Sequence, residues 1–580
     1  MKIFFEQYPY PASQVKDILD KNLYTDYKGM KIIPYVGYFY NPNIKDNHGN
    51  IVGDSVFILP KVFISKEYVE EDGKVQSLAF GKYNPEDIVN LDSEKMLAKK
   101  DNELIFGLST WLYNAIAHFI DRHQTSKIAE NAYIQNVISV RGDDDQTFLD
   151  IILSLIKFHK DHKNLFTYIT ILNVSGKSTI NWDKTINKTI PILKNNVPFY
   201  AETIAKKKAI NFDEDLIVLF YSVLNYLKHK YQYRIDKKIE YKLIRPNQIQ
   251  QLIDTGKGLR ILKQIRKKYF TDELVSLWNL LRVFFDKSNK VATKKYSEEL
   301  LLIRSFNIVF EDMIDQLIGE QKEEILDGSL KEQEDGKRVD HIYKDKSLIP
   351  DSEIYFIGDS KYYKDGNDIT GSSFYKQYTY AKNVIQLCMN IFDGGLGQSK
   401  LNRIRYVDLK TEGYNITPNF FIRGNIPDFN NLSYSRIDLT NETSNNIDKY
   451  RSKHWKNRLF DRDTLIVQTY NINFLYVLSS YVANSSDISI KRNIQNKFRK
   501  DIIRTLNNNY QFYIITPKNL DCFVDKHFRL LAGKMYRGND DDLSIWLAFE
   551  KGSSNIEDII NTIRPDIEES IIKPTVLKDD

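Results

Sequence analysis

The sequence predicts a multidomain α/β protein. Three observations carry this. The chain has 580 residues, more than one hydrophobic core ordinarily organises. Aromatic and β-branched runs open it and return past residue 340, and the stretch between them repeats its apolar residues with helical period. Residues 1–95 read as a β-rich N-terminal domain, with strands at 36–40 and 56–64 joined by a loop holding the turn signal Asn47-His48-Gly49-Asn50. Residues 96–295 read as a helical middle domain, with amphipathic stretches at 105–119, 148–158, 215–231 and 261–285. Residues 296–485 combine helices with an apolar hairpin and read as an α/β core. A mixed C-terminal region, 486–580, follows, either separate or part of the same core.

The hairpin carries the chemistry. Arg338-Val339-Asp340-His341-Ile342-Tyr343 and Ile354-Tyr355-Phe356-Ile357-Gly358-Asp359-Ser360-Lys361 flank a turn region in which Pro350 presets φ and Asp351 and Ser352 bond locally to the backbone. A register pairing Asp340 with Asp359 centres that loop between Ile349 and Pro350. Pro350-Asp351 itself falls at the turn, at the far end from Asp359, and is rejected as the motif acid. Side chains two apart on a strand share a face, so Asp359 and Lys361 point one way and Ser360 the other. Two carboxylates hold Mg²⁺ beside a phosphate without caging it, one or two ions being compatible with the pattern. A lysine on the same face orients the attacking water and offsets developing negative charge. This is the pattern of a PD-(D/E)xK restriction-endonuclease-like core, with Asp340 and Asp359 as metal ligands and Lys361 as the catalytic lysine. The pattern implies a mixed sheet flanked by helices for residues 296–485.

The flanks extend the candidate site. The segment 296–326 reads as a helix with Phe310, Met313, Ile314 and Leu317 on one stripe and Glu311 at its edge, a further candidate acid. Downstream, Ser373-Phe374-Tyr375-Lys376-Gln377-Tyr378-Thr379-Tyr380-Ala381 opens a second helix, whose Gln377 is a candidate contact to metal-bound water or DNA backbone.

With these residues in hand, the chain resembles the McrC-type nuclease subunits of GTP-dependent restriction systems, in particular the LlaJI-type restriction endonucleases. The likeness also rests on Tyr35-Val36-Gly37-Tyr38-Phe39-Tyr40, Ser55-Val56-Phe57-Ile58-Leu59-Pro60-Lys61-Val62-Phe63, Gly176-Lys177-Ser178-Thr179-Ile180-Asn181-Trp182, Asn457-Arg458-Leu459-Phe460-Asp461-Arg462-Asp463-Thr464 and Asn473-Phe474-Leu475-Tyr476. One departure is Arg338-Val339-Asp340 where relatives carry Arg-Pro-Asp; valine suits a strand better than proline. The resemblance implies Mg²⁺-dependent cleavage of double-stranded DNA. It also implies that residues 1–295 dock onto a McrB-like hexameric AAA+ GTPase and stimulate it. Two rivals stay open: a self-sufficient sequence-specific type II restriction endonuclease, and a mainly non-catalytic activator of the GTPase.

Composition bounds the rest. Lys and Arg number 82 against 77 Asp and Glu, a net charge of +5 that permits DNA contact through local patches. Cys388 and Cys522 are too few for a disulfide scaffold or a Cys-rich zinc site. The sequence shows neither a signal-peptide pattern nor an 18-residue uncharged apolar run, so a cytoplasmic protein without membrane association is expected. Gly176-Lys177-Ser178-Thr179 mimics a phosphate loop but has Ile171 where the first glycine belongs, and Gly256-Lys257-Gly258 fails likewise. His341 neighbours Asp340 on a strand and so faces away from it, towards packing rather than metal. The basic runs Lys206-Lys207-Lys208, Arg266-Lys267-Lys268 and 491–500 read first as solvated faces and second as DNA-backbone contacts. Arg458, Asp461, Arg462 and Asp463 read as a salt-bridge network supporting the core.

Overall fold

The computed structural model describes residues 2–41, 43–44, 54–65, 68–69, 75–89, 99–124, 137–140, 148–162, 168–173, 179–211, 214–231, 241–292, 299–320, 331, 339–349, 352–364, 367, 369, 371–393, 404–443, 457–483, 487–537, 543–568, 572 and 574–579. The elements that position the site are β1 (Lys2–Phe5), β2 (Tyr35–Asn41), β3 (Asp54–Leu59), α1 (Lys99–Gln124), β4 (Val137–Val140), β5 (Ile192–Lys194), β6 (Val197–Phe199), β7 (Glu299–Arg304), α2 (Asn307–Ile318), β8 (His341–Lys346), β9 (Glu353–Lys361), α3 (Gly371–Asp393), β10 (Pro418–Asn425), β11 (Thr440–Asn441), β12 (Ile466–Asn473) and α4 (Ile488–Asn509). The result is a mixed α/β architecture with several sheets.

The first sheet has strand order β1–β3–β2–β7–β4, with β1 parallel to β3 and the other neighbours antiparallel. Every residue of β2 is buried, because α1 covers one face, where Tyr113 meets Tyr38 edge-on at 5.7 Å, and a cluster around Phe4, Tyr10 and Phe39 fills the other. Gly37 is required here: its φ is +138°, and a Cβ would lie 2.1 Å from the Leu301 carbonyl oxygen of β7.

The β7 strand corrects the expectation of one helix over 296–326. Leu300-Leu301-Leu302-Ile303 is a short run buried on both sides, for which periodicity cannot separate strand from helix. Ser305, with φ of 64°, then turns the chain into α2, the helical part proper. The middle of the chain likewise holds more than helices. Phe148–Asp161 and Asp215–Tyr231 are helical as expected, while the 261–285 stretch divides between Lys257–Ile265 and Asp272–Ala292. Strands Tyr168–Asn173 and Ala205–Ile210 pair antiparallel within this region. So do β5 and β6, across Asn195 and Asn196, whose φ values of 55° and 59° make the tight turn that twisted hairpins favour. This hairpin stands in solvent with its apolar side chains outward: Ile190 just before it is 90% exposed and Leu193 69%, with Phe199, Trp182 and Ile186 also exposed.

The second sheet has order β8–β9–β10–β12–β11. Strands β9, β10 and β12 are parallel, β8 and β11 antiparallel to their neighbours, and α3 lies in the crossover from β9 to β10 as parallel pairing requires. Gly358 lets the Phe420 ring of β10 lie where a Cβ would come within 2.0 Å. The C-terminal strands Tyr510–Ile515 and Ile545–Glu550 have their own core around Phe523, Leu531 and Leu547. Helix α4 instead joins the main core, with Phe498 stacked on Phe420 at 4.6 Å.

That packing engages three of the basic side chains of the 491–500 run inside the protein. Lys491 donates to the Gly319 carbonyl at the end of α2, Arg499 to the Lys346 and Ser347 carbonyls, and Lys497 pairs with Asp501. In the second basic run, Lys268 pairs with Asp215 and Arg266 lies over Trp278; the side chains of Lys207 and Lys208 lie outside the described residues. The 458–463 cluster is structural: Arg458 pairs with Asp461, Asp463 with Lys382, and Arg462 donates to Gln386. Gly176, Lys177, Ser178, Pro350, Asp351 and the Asn47 turn also lie outside the described residues. Among those described, no helix is long and apolar enough to cross a membrane.

Candidate active site

The β8–β9 register runs from His341 opposite Gly358 to Lys346 opposite Glu353, so Asp340 and Asp359 meet one step further on. Their carboxyl groups share a hydrogen bond, and Asp340 Oδ2 also accepts from the Ser360 backbone N–H at 3.2 Å. Lys361, on the same face of β9 as Asp359, places its ammonium against Asp359 Oδ2 and 5.5 Å over the ring of Phe421. Phe421 is itself in register with Asp359 across the parallel β9–β10 pair. Glu311 comes in from α2, held by a 3.3 Å hydrogen bond from Asn307 one turn earlier, within electrostatic reach of Asp340 and Lys361. Four of the five sequence candidates therefore converge.

The acids are crowded. Burial, the charge of Asp340 and the shared hydrogen bond push the Asp359 carboxyl well above its ordinary range, against the pull of Lys361. Burial and Asp340 push Glu311 up to about 8, opposed by Asn307, Lys361 and Lys376. Asp359 Oδ2 touches the lysine yet accepts no hydrogen bond of proper geometry among the described residues. These residues form no group of three or more His, Cys, Asp or Glu already arranged as a metal cage. They do offer a hydrogen-bonded carboxylate pair with a third acid beside it. That donor set fits a hard divalent cation that takes its other ligands from water and phosphate.

Gln377 differs from expectation. Its side chain is fully buried and its amide donates to the Ile357 carbonyl at 3.1 Å and to Asn419 Oδ1 at 3.2 Å. It braces α3 against β9 and β10 two residues before Asp359 and does not reach out toward DNA. Its neighbour Lys376 does face the acids. Partial burial lowers its pKa, but the Tyr380 hydroxyl and the charges of Asp340 and Asp359 outweigh that and hold the ammonium above the ordinary lysine value.

Residues 94–406 match the LlaJI restriction endonuclease family, more than half of the chain. The chain belongs to that family. No curated protein matches it. Among solved structures, it is similar to a chain from the half-complex of the tetradecameric assembly of Thermococcus gammatolerans McrB AAA+ hexamers with bound McrC. The identity is 11%, with 85% of this chain and 99% of that one covered, and the TM-score of 0.27 is too low to carry an argument. Family membership makes the chain a restriction nuclease.

Behind the acids, this LlaJI-family protein has a second polar cluster. His341 is fully buried; one ring nitrogen contacts Ser360 Oγ, and the other lies 3.4 Å from Asp315 Oδ1. Lys331 pairs with the other oxygen of Asp315. Asp315 sits one turn after Glu311, so the chain Asp315–His341–Ser360 ties the helix carrying Glu311 to the strand carrying Asp359 and Lys361. Just past Lys361, the buried Tyr362 hydroxyl donates to Glu6 at 2.6 Å and accepts from the Lys61 N–H at 3.1 Å. Both partners belong to the N-terminal region. Sequence reasoning placed His341 off the acid face but missed Asp315, Ser360, Glu6 and Tyr362. Their partners lie far away in sequence, and only Ser360, pointing opposite to Asp359, left a local signal.

Proposed function

We propose that this chain is a Mg²⁺-dependent endonuclease of the PD-(D/E)xK type that hydrolyses double-stranded DNA within a restriction system. The observation that carries the reading is the pair of Asp340 and Asp359, in hydrogen-bond contact and under like-charge repulsion, with Lys361 on the same strand face. Asp340 and Asp359 hold the ion, and Glu311 supplies a third carboxylate at the edge. Bound there, Mg²⁺ would stabilise charge on the scissile phosphate and acidify a water. Lys361, kept in place by Asp359 and the Phe421 ring, orients that water and offsets charge as it develops. Asn307 aims Glu311, and Gln377 fixes α3 so that the site is not rebuilt at each turnover.

We assign the docking of a McrB-like AAA+ GTPase, which the family resemblance implies, to residues 1–295. Within that stretch, the exposed apolar β5–β6 hairpin supports the assignment: a soluble chain leaves such a patch bare chiefly where another protein covers it. Cleavage of duplex DNA with Mg²⁺, with and without the GTPase and GTP, tests both parts in wild type, Asp359→Ala and Lys361→Ala. Cutting that needs the partner and vanishes in both variants is the expected result. Cutting by wild type alone would make the enzyme self-sufficient, and undiminished cutting by both variants would overturn the site.

A further inference from the structure

We propose, on the nuclease reading above, that Lys376 is a phosphate-gripping residue of this active site and contacts the DNA backbone directly. The charges around the hairpin end require such a group. Once a divalent ion displaces the proton that Glu311 holds and the one that Asp340 and Asp359 share, the three carboxylates bring three negative charges, which Lys361 and that ion only neutralise. A phosphodiester entering that site would meet no net attraction, and steering of an anionic substrate needs a positive potential at the mouth. Lys361 does not supply it, because it is ion-paired with Asp359 and its side chain is only 12% exposed.

Lys376 is placed to supply the missing charge. It lies in the second turn of α3, next to Gln377, whose buried amide pins that turn to the Ile357 carbonyl. The backbone is thus fixed while the lysine side chain stays accessible to solvent. Its ammonium rests 5.2 Å over the ring of Tyr380, one turn on, which limits its wandering without neutralising it. From there it acts on Asp340, Asp359 and Glu311 together. Lys376 is itself exposed, as is Thr379 three positions on along the same face, so this face of the helix is open to an approaching duplex.

The test is binding of a fluorescent duplex oligonucleotide by the full chain in Ca²⁺, across a salt series, for wild type, Lys376→Ala, Lys376→Met, Lys376→Arg and Lys361→Ala. Calcium titrations without DNA and melting curves run in parallel. Lys376→Ala and Lys376→Met should weaken binding roughly tenfold and lower the slope of log affinity against log salt by about one, with Lys376→Arg restoring both. Melting should not change, since the residue is exposed. If Lys376 were only a counter-ion for the acids, its removal would tighten calcium binding and leave the DNA salt slope at the wild-type value; that result overturns the proposal. A wild-type chain that binds no duplex even with the GTPase partner and GTP added would sink the nuclease reading and this inference with it, whereas normal wild-type binding with an unchanged Lys376→Ala slope would sink this inference alone.

Discussion

The two faces of the β8–β9 hairpin are built from similar residues and behave in opposite ways. On the rear face, Asp315 meets Lys331 and His341, and His341 meets Ser360, so each charge or dipole finds a complement. On the front face, three acids are gathered around one lysine, and two of them are pushed far from their ordinary ionisation. Both clusters are substantially buried, so burial alone does not separate them. The difference is whether the polar groups satisfy one another. A cluster of complementary groups holds parts together, while one of crowded like charges has perturbed ionisation, which gathers at functional sites.

This contrast can be broken in several ways. The largest effect is expected on the front face: Asp340→Asn or Asp359→Asn should lower DNA cleavage by about 10²–10³-fold or more, the scale for losing a group used in the transition state. Asp340→Asn should not lower the melting temperature in EDTA, since it removes like-charge repulsion and leaves the Lys361–Asp359 pair in place. Mg²⁺ at about a hundred times its dissociation constant should stabilise wild type by about 2.7 kcal/mol, and thermal shift should show that gain abolished in Asp340→Asn. If the gain survives, the ion sits elsewhere.

On the rear face, His341→Ala should cost about 1–3 kcal/mol in denaturant unfolding, because it leaves Asp315 and Ser360 short of a buried partner. A neutral result would mean the cluster is not the brace described above. The front face should also reveal itself through pH. Glu311 holds its proton up to about 8 in the folded chain, against 4.5 for an ordinary glutamate. Between those values the unfolded chain releases a proton that the folded chain keeps, so in EDTA stability falls as pH rises through that window and the loss is complete above it. Glu311→Gln should flatten this trend, and Mg²⁺ should bind more tightly at the alkaline end, where it no longer competes with protons. The smallest effect on stability belongs to the exposed hairpin: Leu193→Asp should change it by no more than about 0.5 kcal/mol, while pull-down of the GTPase partner should weaken.

Much of the front face was legible because antiparallel pairing is a one-parameter problem. Once the loop centre is set, Asp340 falls opposite Asp359, and the two-residue alternation brings Lys361 to the same side. Glu311 was legible as the edge of an apolar helical stripe. Strand β7 was not, because four apolar residues in a row carry no period. The burial of Gln377 was not legible for a related reason: position on a helix is readable, but which side meets the sheet depends on β9 and β10. The 491–500 run was harder still, since Lys491 and Arg499 are occupied by carbonyls at Gly319, Lys346 and Ser347, which local charge counting does not reveal.

The Tyr362 hydroxyl, held by Glu6 and by the Lys61 backbone, bears on how such proteins can be shuffled. A nuclease module that inherited Tyr362 without Glu6 and Lys61 would carry a buried phenol short of both partners, and the orphaned N-terminal sheet would leave the buried Glu6 carboxyl with only Lys61 beside it. Recombination between relatives is therefore constrained to exchange the two segments together or to change both ends of this contact at once. Chimeras joined between the first sheet and β9 should fold poorly unless Glu6, Lys61 and Tyr362 come from the same parent.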